Sequence, residues 1–137
     1  IGTISLSMAQ YVQKVYGVEI VEQAIIDAKE NAIRNDISNV EFTCQDAGEF
    51  MVEFAKKNKH IDVVMVDPPR KGCSQVFLDQ LITLAPDKVV YISCDVATQA
   101  RDIAYLQEHG YIADICQPVD MFPQSHHIEN IVRLYKQ

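Results

Sequence analysis

The chain has 137 residues, 48% of them hydrophobic and 23% charged, one domain's worth of a folded chain rather than a disordered tail. Twelve Lys and Arg against nineteen Asp and Glu give a net charge of −7. That excludes a nucleic-acid footprint over the whole surface but leaves room for a local basic patch.

No apolar run approaches the ~20 residues of a membrane-spanning helix, and the first residues are not a basic, apolar leader, so a membrane protein is not expected. The chain opens on Ile1 inside what reads as a motif, as a fragment of a longer protein would. Gly2-Thr3-Ile4-Ser5-Leu6 reads as the second half of a glycine-rich strand-to-helix turn, or as an ordinary helix start. Val15 to Ile20 is a short β-type run. Val21, Ala24, Ile25, Ala28, Ala32 and Ile33 then recur at helical spacing, with Glu22, Asp27, Lys29 and Glu30 on the other face. Asn35-Asp36 and Ser38-Asn39 turn the chain into a strand over 40–44. Ala47 to Lys57 reads as a helix with Phe50, Met51 and Phe54 inward. Residues 61–66 form a nearly continuous apolar strand, the pattern of a strand covered on both faces, and it stops at Asp67-Pro68-Pro69.

Val76 to Leu84 is helical, broken by Pro86-Asp87, and Lys88 to Ser93 is a further buried strand. Ala97 to His109 is a helix ending at Gly110, where a C-terminal glycine belongs. Tyr111 to Pro118 and Glu129 to Tyr135 are the last strands. With no helix between them, they should pair antiparallel. The alternation predicts one α/β domain over 1–137, a mostly parallel sheet with helices on both sides. In such sheets ligands bind beyond the carboxyl ends of the strands, which draws attention to Glu19, Asp46, Asp67, Cys94 and the loop after Met121.

Glu19 ends its strand where a carboxylate can accept from both hydroxyls of an adenosine ribose; it can equally be an acid helping a helix N-terminus. Asp67-Pro68-Pro69-Arg70 is a stiff extended loop that fixes Asp67 and Arg70 at the ligand edge. The cysteines, Cys44, Cys73, Cys94 and Cys116, contain no CxxC pair, so no zinc site, iron–sulfur cluster or disulfide framework is expected. Cys44 and Cys116 read as buried structural thiols and Cys73 as a loop thiol, while Cys94 falls at the ligand edge. Residues 120–129 crowd titratable groups together. His126 and His127, if on a strand, would point to opposite faces, so no metal is expected there and a general acid or base is the better reading.

These motifs resemble the catalytic domain of the bacterial S-adenosylmethionine-dependent RNA uracil-5-methyltransferases. The likeness rests on Val66-Asp67-Pro68-Pro69-Arg70-Lys71-Gly72, on Tyr91-Ile92-Ser93-Cys94 with Ala97-Thr98 and Ala100-Arg101-Asp102, and on Asp120-Met121-Phe122-Pro123-Gln124 with His127-Ile128-Glu129. It covers essentially the whole chain. The resemblance implies a class I, Rossmann-like methyltransferase fold, S-adenosylmethionine as cofactor, RNA as substrate and a cytoplasmic enzyme. It makes Cys94 the nucleophile and Glu129 the general base. Gly2, Thr3, Glu19, Asp46 and Asp67 would hold the cofactor, and Asp67 and Arg70 the target base, with Arg70 also helping to lower the Cys94 thiol's pKa. It further implies an upstream first strand and upstream RNA-binding domains, so the chain alone would be inactive. Where the family shows Asn-Pro after the cysteine, this chain has Asp95-Val96.

Ribosomal RNA is the expected substrate, with transfer RNA the alternative and a non-catalytic cofactor- or RNA-binding fragment a further one. A methyltransferase acting on exocyclic amines would carry an aromatic where Arg70 stands. A nicotinamide dehydrogenase would leave Cys94 and Glu129 unexplained.

Overall fold

The computed structural model of the chain describes residues 1–57 and 60–137. Two compact units divide it, Ile1–Phe50 and Met51–Gln137. The described elements follow the expected alternation: α1 (Thr3–Ala9), β1 (Val15–Glu19), α2 (Glu22–Arg34), β2 (Val40–Cys44), α3 (Ala47–Lys56), β3 (Val63–Val66), α4 (Gln75–Leu84), β4 (Lys88–Ser93), α5 (Val96–Glu108), β5 (Tyr111–Val119) and β6 (Glu129–Lys136).

In the first unit β1 and β2 pair in parallel, with Gly17 opposite Phe42. Glycine is required there: a Cβ would sit 2.5 Å from the Phe42 ring and 2.9 Å from Ser5 Oγ of α1. Gly2, at φ +76, likewise brings the chain against α2, where a Cβ would lie 2.8 Å from Ala28 Cβ. Ala9, Val15, Ile25, Ala28 and Ala32 form the buried apolar set.

The second unit carries a four-stranded sheet of order β3-β4-β6-β5. β3 and β4 are parallel; β6 runs antiparallel to both β4 and β5, as expected for the last pair. Val89, Tyr91 and Ser93 of β4 lie opposite Leu134, Val132 and Asn130 of β6, and all are buried. This period-2 set, with Leu78, Leu81 and Leu106 from α4 and α5, is the core of the unit.

Two expectations need correction. β3 is only half-buried at each of its four residues, because among the described residues it pairs with β4 alone. Cys44 and Cys116 are exposed, not core thiols, since one ends β2 and the other lies on the edge strand β5; Cys73, expected in an open loop, is partly buried.

Candidate active site

In the first unit, Glu19 and Asp46 sit at or just beyond the carboxyl ends of the two parallel strands. Glu19 Oε1 accepts from the Ile20 and Val21 amides at 2.8 and 3.1 Å. Among the described residues its second oxygen has no partner, so this acceptor suits a hydroxyl of a diol. Asp46 Oδ1 accepts from the Gly48 and Glu49 amides at 2.8 and 3.1 Å, capping α3. Gly2 is the left-handed N-cap of α1, and Thr3 is the first helical residue.

In the second unit, the loop after β3 carries Asp67 and Arg70 and is held from α5. Thr98 Oγ1 donates to the Arg70 carbonyl at 2.9 Å, and Arg101 Nη2 donates to the Lys71 carbonyl at 3.0 Å. The Cys73 amide donates to Asp102 Oδ2 at 2.8 Å. Asp102 is 1% exposed and also accepts from the Tyr91 hydroxyl at 2.7 Å and from Arg101 Nε at 2.9 Å. The Ala-Arg-Asp segment is thus a bracket for the Pro-Pro loop. Partial desolvation raises the Asp67 carboxyl above its ordinary value. Burial pushes the Cys73 thiol up to about 11.

Cys94 follows β4 in the turn into α5. Asp95 caps that helix, its Oδ1 accepting from the Thr98 amide at 2.9 Å, and its own amide donates to Ser93 Oγ at 3.0 Å. Asp95-Val96 therefore builds a capped helix start of the kind Asn-Pro would build. The Thr98 amide and hydroxyl hold the Asp95 carboxyl below its ordinary range, and the charge of Arg70 adds to this.

Glu129 is the first residue of β6. The last paired residues of β4 and β6 are Ser93 and Asn130, so Cys94 and Glu129 stand one step further along, at the same end of adjacent strands. Arg70 reaches this end too. Its Nη2 lies 3.2 Å from His127 Nε2. The expected orientation of the histidines is corrected: residues 120–128 form a loop rather than a strand, so the rings of His126 and His127 lie side by side, 4.3 Å apart.

Gln99, Asn130 and the Asp102 network carry the site's internal support, and their roles were not anticipated from the sequence. The available signal was polar residues on an inward helical stripe: Gln99 and Asp102 share the buried face of α5 with Leu106. A groove of about 610 Å³ runs beside the loop, lined by Lys71, Gly72, Ser74, Arg101, Tyr105 and Glu108 among others; it includes neither Asp67, Cys94 nor Glu129.

Strands ending in charged and nucleophilic residues, with β6 reversed between β4 and β5, define an α/β domain of the class I methyltransferase type. An rRNA methylase from Streptococcus thermophilus shares the fold at a TM-score of 0.74 and 14% identity, over 96% of this chain and 78% of that one. The whole chain, residues 1–137, matches the tRNA (Uracil-5-)-methyltransferase family and belongs to it. An RNA methyltransferase of Clostridium tetani is 49% identical over 131 residues, covering 96% of this chain and 28% of its own length. One of Halalkalibacterium halodurans is 49% identical over 134 residues, covering 98% and 29%. The tRNA (uracil-54, C5)-methyltransferase of Pyrococcus abyssi, solved with S-adenosyl-L-homocysteine, superposes at a TM-score of 0.85 and 33% identity, over 97% of this chain and 31% of that one. The chain therefore spans under a third of the length of these three proteins.

Proposed function

We propose that the protein carrying this chain transfers a methyl group from S-adenosylmethionine to carbon 5 of a uridine in RNA. Membership of the family supports the reaction class, and the cofactor product bound by the Pyrococcus abyssi neighbour supports the donor. The observation that carries the reading within this chain is the register that puts Cys94 and Glu129 at one end of adjacent strands.

When bound, S-adenosylmethionine supplies an electrophilic methyl group. Glu19 fits its ribose, with one carboxylate oxygen fixed by backbone amides and the other open to a hydroxyl; Gly2, Thr3 and Asp46 complete the holding set proposed for the first unit, and Asp67 is the cofactor residue proposed for the second. Carbon 5 of uracil is too weak a nucleophile to be methylated unaided. The Cys94 thiolate adds to carbon 6, and the electron pair moves onto carbon 5 and the carbonyl. Once carbon 5 carries the methyl group, the methyl–sulfur bond having broken to leave S-adenosylhomocysteine, Glu129 would remove the remaining carbon-5 proton so that the carbon 6–sulfur bond breaks and the Cys94 thiolate leaves. The base must be out of its stack to reach such a pair. Asp67 and Arg70 are the residues proposed to contact it, and the hydrogen bonds from α5 to the Arg70 and Lys71 carbonyls support Arg70 in that role.

Ribosomal RNA is the proposed substrate, on the likeness of the motifs. The transfer-RNA reading is favoured by the Pyrococcus abyssi neighbour, so both RNAs belong in the assay. In the full-length protein, Cys94→Ala should abolish methylation and keep cofactor binding. Glu129→Gln should transfer the methyl and then stall, leaving a protein–RNA adduct that survives denaturant. Normal turnover in either variant would sink the covalent mechanism.

A further inference from the structure

Gln99 is 1% exposed on α5, with its side-chain amide directed between two strands. Its Nε2 donates to the Tyr91 carbonyl of β4 and to the Asn130 carbonyl of β6, both at 3.0 Å. Its Oε1 accepts from Asn130 Nδ2 at 2.7 Å. Asn130 Oδ1 in turn accepts from the Cys116 thiol of β5 at 3.4 Å. Asn130 is 8% exposed, so this amide pair is a buried polar contact between the helix and the two strands.

The apolar layer leaves a specific ambiguity. A one-residue slip of β6 against β4 would turn the buried set outward and is strongly disfavoured. A two-residue slip preserves the alternation of Val89, Tyr91, Val132 and Leu134, yet it would carry Glu129 roughly 7 Å along the strand. Only one amide on β6 meets Gln99, so the pair distinguishes the native register from that slip. A single buried polar pair can set register in this way at some cost in stability. Asn130 adjoins Glu129, and its cross-strand partner Ser93 adjoins Cys94.

We propose that Gln99 and Asn130 are positioning residues: the amide clamp fixes β6 against β4 and so holds the Glu129 carboxylate over the ring that Cys94 carries. The catalytic half of this statement rests on the roles proposed above for Cys94 and Glu129; the register half does not.

The test has a chemical and a geometric arm, both in the full-length protein. Gln99→Met keeps the shape of the side chain and removes its amide. The double variant Gln99→Met with Asn130→Val replaces both partners and keeps the layer apolar if the single variant folds poorly. In the chemical arm, single-turnover methyl transfer should stay within about twofold of the parent while adduct release slows at least tenfold, so that denaturant-resistant protein–RNA complex accumulates. A lesion that only lowers the folded fraction would reduce both steps alike and would overturn the clamp. In the geometric arm, Glu129→Cys is oxidised in a glutathione buffer, with Cys44→Ser and Cys116→Ser to remove the exposed thiols. The cross-link to Cys94 should form at least tenfold faster with Gln99 than with Gln99→Met. Equal rates would overturn the clamp whatever the chemistry. If Glu129→Gln traps no adduct, the base assignment falls, and the cross-linking arm decides the register alone.

Discussion

Gly72 is where the bracket around the Pro-Pro loop is tightest. At φ +78, a Cβ there would lie 2.6 Å from Arg101 Nη2 and 2.7 Å from Asp102 Oδ2. Gly72→Ala therefore combines a left-handed backbone cost of about 1–2 kcal/mol with displacement of the buried carboxylate. Asp102→Ala leaves the Tyr91 hydroxyl proton and the Cys73 amide without an acceptor, at about 1–3 kcal/mol for each buried group. Urea unfolding should show both variants less stable, Asp102→Ala by about 2–6 kcal/mol in total. A loss within the scatter of ordinary surface substitutions would mean that the bracket carries no load. Cys73, with its thiol at about 11, should resist alkylation at neutral pH. Iodoacetamide followed by mass spectrometry should modify Cys44 and Cys116 well before Cys73, and equal labelling would contradict its burial.

The start of α5 is an element-scale device, because one residue both ends the Cys94 turn and caps the helix. Asp95 is held below its ordinary 3.8 chiefly by the Thr98 amide. A carboxylate whose folded pKa is depressed contributes its stability above the unfolded value and loses it as pH falls through the folded one. The melting-temperature difference between the parent and Asp95→Ala should thus be full at neutral pH and close as the pH drops below 3.8. Asp95→Asn should show no such closure, since the amide caps at any pH. A difference that stays constant down to strongly acid pH would remove the cap from the account. The strand ends were legible because the runs ending at Val66 and Ser93 break from apolar to Asp67 and Cys94 within one residue. β2 over 40–44 and β4 over 88–93 match their expected bounds. What was not legible depended on contacts far apart in sequence. Nothing near Gln99 announces Asn130, thirty-one positions on. The facing rings of His126 and His127 follow from a loop where alternation suggested a strand. Cys116 reads as apolar until its strand proves to be an edge.

At the scale of the molecule, each sheet has outer strands paired on one side only among the described residues, β1 among them in the first unit and β3 in the second. In line with the expectation of an upstream strand, we propose that the longer polypeptide supplies hydrogen-bonding partners for these edges. A version extended upstream should then unfold at higher urea concentration than the 137-residue chain. Coincident transitions would argue that both edges are content as they are.

Outer strands paired on one side only also have a colloidal consequence. An open ladder is a template for any other chain with a free strand, including a second copy of itself. What opposes such stacking here is the net charge of −7. That repulsion vanishes near pH 4.9, where the net charge passes through zero, so the short chain should scatter light and gain cross-β signal as it is acidified to that point. Added salt should bring the same onset at neutral pH by shortening the reach of the repulsion. The upstream-extended version should stay clear in both conditions. Equal clouding of the two would place the self-association elsewhere on the surface.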